Sequence, residues 1–171
     1  MSTAVDHHVA FRVADIDRSI RFYTEALGGR LATLPAERSG GYFDATFGPG
    51  AAMRICYIRF DRGGTIELFE FLSPKNDVPP AVQTVDAIMH IGVTVDDVPA
   101  VLERVLASGG RARTEVRHMG NRDGAPRFVY CEDPDGHLLE LLEADSEETI
   151  REVLKSVPSA APGGAGGGDT P

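Results

Sequence analysis

Two histidines and two glutamates stand at matching places in the two halves of this 171-residue chain. His8 opens the run HVAFRVADIDRSIRFYTEALGGR, and His90 opens HIGVTVDDVPAVLERVLASGGR. Glu67 and Glu140 head the tetrapeptides E-L-F-E and E-L-L-E. In a strand, alternate residues share a face, so His8, Ala10 and Arg12 lie opposite Val9, Phe11 and Val13. His90, Gly92 and Thr94 follow the same pattern, Glu67 shares a face with Phe69 and Phe71, and Glu140 shares one with Leu142. A carboxylate in an apolar row is costly to bury unless it is paired or binds a metal. Neutral imidazole and carboxylate are ordinary ligands for Zn, Ni, Co, Mn or Fe, and two carboxylates neutralise a 2+ charge. Taken singly, a strand histidine is usually a hydrogen-bonded structural residue and a strand glutamate usually faces solvent. The repetition points instead to one divalent metal held by His8, Glu67, His90 and Glu140, with open positions for water or two substrate oxygens.

The elements that must position these residues are also written twice. Asp15 and Asp97 each fall seven residues after their histidine and suit a helix start. Ile16, Ile20 and Tyr23 then make one helical stripe, and Val98, Leu102 and Val105 repeat it. Both helices run into a Gly-Gly pair, Gly28-Gly29 and Gly109-Gly110, where glycine suits a left-handed C-terminal cap. Strands are expected at 54–60 and 65–71 around the turn Asp61-Arg62-Gly63-Gly64. Their counterparts are 127–131 and 137–144 around Asp133-Pro134-Asp135-Gly136, whose proline and glycine fit a type I turn. Fainter strands near 30–34, 42–47 and 112–117 complete a βαβββ order in each half. The expected class is α+β, with modules at 6–72 and 87–144 joined by a polar, proline-containing linker at 73–86. The pair is expected to enclose a cleft lined by inward-facing side chains. A helix at 145–157, capped by Ser146, follows. The Gly/Pro/Ala tract at 158–171 has nothing large to bury and is expected to be a disordered tail.

Arg12 is a candidate anchor for a substrate carboxylate or phosphate, with an ion pair to Glu67 or Glu140 as the alternative. Phe69 and Phe71 are candidates for an apolar substrate pocket or for core packing. His7 is expected to face away from His8, and His137 to be exposed. The loop at 114–126, with His118, is a candidate lid or a plain surface loop. Cys56 and Cys131 show no metal-type spacing and read as buried, reduced core thiols. Net charge is −9 and no basic block offsets it, which disfavours nucleic acid and anionic membrane and favours a small-molecule partner. No apolar run reaches membrane-spanning length and the N-terminus lacks the pattern of a secretory signal, so the expected location is cytoplasmic.

The pieces HVAFRVADIDRSIRFYTEALG, TIELFEF, HIGVTVDDV and EDPDGHLLELLE resemble, in order, the glyoxalase / bleomycin-resistance / extradiol-dioxygenase superfamily of vicinal oxygen chelate proteins. The resemblance covers most of residues 6–144 and is closest to the glyoxalase I and methylmalonyl-CoA epimerase branches. It implies two βαβββ modules with a metal in the cleft, and ligands at His8, Glu67, His90 and Glu140. The implied activity is that of a metal-dependent isomerase or lyase acting on a small vicinal-oxygen carbonyl substrate through an enediolate or enolate, with Glu67 or Glu140 shuttling the proton. Alternatives on the same scaffold are an Fe(II)-dependent oxygenase and an antibiotic- or metabolite-sequestering protein, though binding relatives of that kind lack the four ligands. Arg12 matches an arginine that binds the glutathione carboxylate in the bacterial glyoxalase I branch. Phe71 stands where that branch has asparagine, and Glu67 where the epimerase branch often has glutamine. Related proteins are often homodimers, some with sites built across the interface.

Overall fold

The computed structural model describes residues 7–75 and 89–156; the tail, and all but the first residues of the linker, lie outside them. The first module runs β1 (Val9–Arg12), α1 (Ile16–Glu25), β2 (Arg30–Leu31), β3 (Ala36–Ser39), α2 (Gly41–Phe47), β4 (Ala52–Arg59) and β5 (Thr65–Ser73). The second runs β6 (Ile91–Thr94), α3 (Val98–Ala107), β7 (Arg111–Ala112), β8 (Arg117–His118), a 3-10 turn at Met119–Asn121, β9 (Arg127–Glu132) and β10 (Leu138–Leu142). Helix α4 (Ser146–Ser156) follows. The sheets have the same plan: β1-β5-β4-β2 with β3 also on β4, and β6-β10-β9-β7 with β8 also on β9. The pairs β1/β5 and β6/β10 are parallel, and all others antiparallel. This is the tandem βαβββ arrangement, with the middle strand of each module in two pieces.

Three local expectations change. Residues 42–47 are a helix, not a strand: Gly40, at φ 89°, breaks the extended chain after β3. The following turns then set Phe43 and Phe47 one helical turn apart, with their rings stacked. The strand expected at 112–117 is interrupted, leaving only its ends, β7 and β8, paired to β9. The cap of α4 is Asp145, whose side chain accepts from the Glu148 N–H, so Ser146 is the first residue of the helix itself.

The repeated helices begin as their residues dictate. The Asp15 carboxylate accepts from the Arg18 N–H, and that of Asp97 from the Ala100 N–H. At the other end, Gly28 and Gly109 have φ of 70° and 89°, a region glycine enters without steric cost. The second glycine of each pair serves close packing. A Cβ on Gly29 would lie 2.5 Å from Ile58, and one on Gly110 2.5 Å from the Glu132 carbonyl oxygen.

One core spans both modules. Phe11, Ile16, Phe22, Tyr23, Ile58 and Leu68 from the first pack with Val98, Val101, Val105, Val129, Leu139 and Leu141 from the second. The turn between β9 and β10 closes onto α1. The Tyr23 hydroxyl donates to Asp133 at 2.8 Å, and Asp135 accepts from Ser19, Arg18 and the Ala14 N–H. Phe11 stacks on His137 at 4.6 Å, and His137 also contacts Asp133 at 2.8 Å. His137 is therefore half-buried at the module junction, contrary to the expectation of exposure.

Candidate functional site

The alternation that sends Phe11 and Val13 into the core puts His8, Ala10 and Arg12 on the other face of β1. Parallel register sets Ala10 beside Glu67, and in the second module Gly92 beside Glu140. These small neighbours leave each carboxylate open to the histidine two residues before them. His8 Nε2 lies 3.0 Å from Glu67 Oε2, and His90 Nε2 lies 3.2 Å from Glu140 Oε2. Each predicted His thus meets the predicted Glu of its own module. Among the described residues, no group of three or more His, Cys, Asp or Glu side chains converges in an arrangement that could hold a metal ion.

Each pair has a third member. Antiparallel register places Tyr57 opposite Glu67 and Tyr130 opposite Glu140. Each tyrosine therefore faces the carboxylate across its strand pair. The facing Glu67 carboxylate pushes the Tyr57 hydroxyl up to about 12, and burial followed by the facing Glu140 carboxylate does the same for Tyr130. Each ring also stands edge-on to the histidine, His8–Tyr57 at 5.8 Å and His90–Tyr130 at 5.4 Å. The tyrosines are absent from the sequence reading because a strand tyrosine resembles any other β-former. The available sign was position: each lies ten residues before its glutamate.

The second glutamates of the two tetrapeptides point the other way. Arg54 binds Glu70 and also Asp17 of α1, while Arg127 binds Glu143. Glu143 also accepts from the Val98 N–H at the start of α3. The Arg127 hydrogen bond, aided by those from two backbone N–H groups, holds the Glu143 carboxyl down at about 2.

Around the first pair the wall is aromatic. Phe47 of α2 lies 5.8 Å from Phe69 and 5.5 Å from Phe71, and the Arg12 guanidinium sits 4.9 Å over the Phe71 ring. Arg12 is exposed, and Phe69 and Phe71 are half-buried. Around the second pair, Leu142 and Ala144 are covered by Met119 in a small buried cluster with Phe128. His118 of the 114–126 loop is tied to the Ala125 carbonyl oxygen at 2.6 Å. His7 does not turn away from its neighbour: His7 Nδ1 is 2.7 Å from His8 Nδ1. Cys56 and Cys131 are free and buried, and burial pushes their thiols up to about 11 and about 12. A cavity of about 1330 Å³ opens between the Asp61–Gly64 turn and α3. His7 and His8 line it, but Glu67, His90 and Glu140 do not.

Residues 7–141 match the model of the Glyoxalase/Bleomycin resistance protein/Dioxygenase superfamily. The chain belongs to that superfamily. It is 35% identical to a probable chloroplastic lactoylglutathione lyase of Arabidopsis thaliana; the match takes in 88% of this chain but only 39% of that protein. It is 30% identical to the lactoylglutathione lyase of Haemophilus influenzae, over 83% of this chain and 94% of that one. It is 33% identical to a 2-epi-5-epi-valiolone epimerase of an Actinomyces species, over 80% and 77%. Among solved structures, a glyoxalase family protein from Bacillus cereus shares the fold, with a TM-score of 0.72 and 23% identity over 83% of this chain and 95% of that one. No helix among the described residues is long and apolar enough to cross a membrane.

Proposed function

We propose that the chain is a divalent-metal-dependent isomerase or lyase of the glyoxalase and epimerase kind, acting on a small carbonyl compound with vicinal oxygens. The observation that carries this reading is the twofold His–Glu pair. Members of the superfamily generally use a divalent metal. Two donors about 2.1 Å from one ion, at tetrahedral or octahedral angles, stand about 3.0–3.4 Å apart. The pairs here, at 3.0 and 3.2 Å, have that spacing. Two ligands leave a site half made, and the internal repeat supplies a matching half on the other module. A homodimer in which the first module of one copy faces the second module of the other would unite His8 and Glu67 with His90 and Glu140.

A divalent ion held there would act as a Lewis acid toward two neighbouring substrate oxygens. Glu67 or Glu140 takes the proton from the carbon beside the carbonyl and returns it to the adjacent carbon or to the opposite face. Arg12 holds an anionic group of the substrate, and Phe47, Phe69 and Phe71 form an apolar wall beside it.

The test is metal content by elemental analysis of untagged protein, beside His8→Ala and Glu140→Gln, together with solvent-deuterium exchange into vicinal-oxygen carbonyl compounds. About one equivalent per chain, lost in both variants along with exchange, is the expected result. Protein that takes up no divalent metal on reconstitution would refute the proposal.

A further inference from the structure

We infer that Tyr57 and Tyr130 are positioning residues that orient Glu67 and Glu140 for the metal, one in each half-site. The inference rests on the metal reading above. Its ground is a contrast between carboxylates within the same two sheets. Glu70, Glu132 and Glu143 are each held by guanidinium: Arg54 on the first, Arg111 and Arg113 on the second, Arg127 on the third. Among the described residues, Glu67 and Glu140 have no guanidinium partner and face phenols instead, Tyr57 and Tyr130 directly across the strand pair. The difference is chemical. A guanidinium neutralises a carboxylate and would compete with a cation for it, whereas a neutral O–H fixes its direction and leaves the negative charge whole.

The geometry suits that task. The terminal torsion of a glutamate is broad, so an unrestrained carboxylate rotates freely. A donor on one side limits this rotation and leaves a lone pair for the ion. The same ring packs edge-on against the histidine of its pair, at interplanar angles of 83° and 81°, and so restrains both donors at once. Glu67 is only 8% exposed, so little water is available to take the place of the hydroxyl. The arrangement occurs twice, with the same register across the strand pair.

The experiment compares wild type, His8→Ala, Tyr57→Phe, Tyr130→Phe and the double tyrosine variant. Co(II) affinity is read by chelator competition, with the Co(II) absorption spectrum and the urea midpoint beside it. Phenylalanine keeps the ring and removes only the donor. The expected result is unchanged stoichiometry, an altered Co(II) spectrum and an affinity lower by roughly 10- to 100-fold in each single variant, with the losses multiplying in the double. Affinities within twofold of wild type for both single variants, while His8→Ala abolishes binding, would overturn this inference and leave the metal reading standing. Wild type that binds Co(II) no better than His8→Ala would overturn both.

Discussion

The two halves carry the same polar triad in different surroundings. In the first, Phe47, Phe69 and Phe71 flank the His8–Glu67–Tyr57 group, with Arg12 over Phe71. In the second, the strand positions that match Phe69 and Phe71 are Leu142 and Ala144. These are 7% and 1% exposed beneath Met119. The repeat therefore carries the same histidine, glutamate and tyrosine in both halves beside neighbours that differ. On the proposed reading, the first module recognises the substrate and the second closes its own wall.

Truncation should separate those roles. Leu142→Ala opens a void in a covered cluster, with an expected cost of about 2–5 kcal/mol in urea unfolding. Phe71→Ala removes a half-buried ring and should cost less stability, while raising KM for a substrate with an apolar substituent. Equal losses of stability, with KM unmoved by Phe71→Ala, would break the division of roles.

A smaller effect concerns the carboxylate that faces the helix. The folded-state value of Glu143 is about 2, against an ordinary 4.5, so its stabilising contribution is complete above pH 4.5 and lost as pH falls towards 2. Glu143→Gln should therefore be less stable than wild type at neutral pH, and the two urea midpoints should converge as pH approaches 2. A gap that persists at pH 2 would mean that packing, not charge, sets the difference.

Much of this architecture was legible in the sequence because it rests on local rules. Asp15 and Asp97 mark helix starts, Gly28 and Gly109 mark helix ends, and alternation sorts His8 from Val9. What escaped depends on contacts distant in sequence. His137 reads as exposed until the turn that carries it folds onto Phe11 of the other module. Residues 42–47 have strand-like composition, and only the break at Gly40 and the rings of Phe69 and Phe71 favour the helix. Tyr57 and Tyr130 look like ordinary strand residues until cross-strand register sets them against the glutamates. Whether one chain or two complete the site lies beyond local pattern, because either association buries the same four residue types.

Complementation tests the central claim most directly. His8→Ala and His90→Ala variants are unfolded together, refolded as a mixture and assayed for bound metal. If each site takes one half from each copy, mixed dimers carry one site with both halves intact and one with both damaged. The mixture should then recover roughly a quarter of the wild-type metal, although neither variant alone holds any. No recovery, from variants that refold and associate as wild type does, would contradict a site shared between copies.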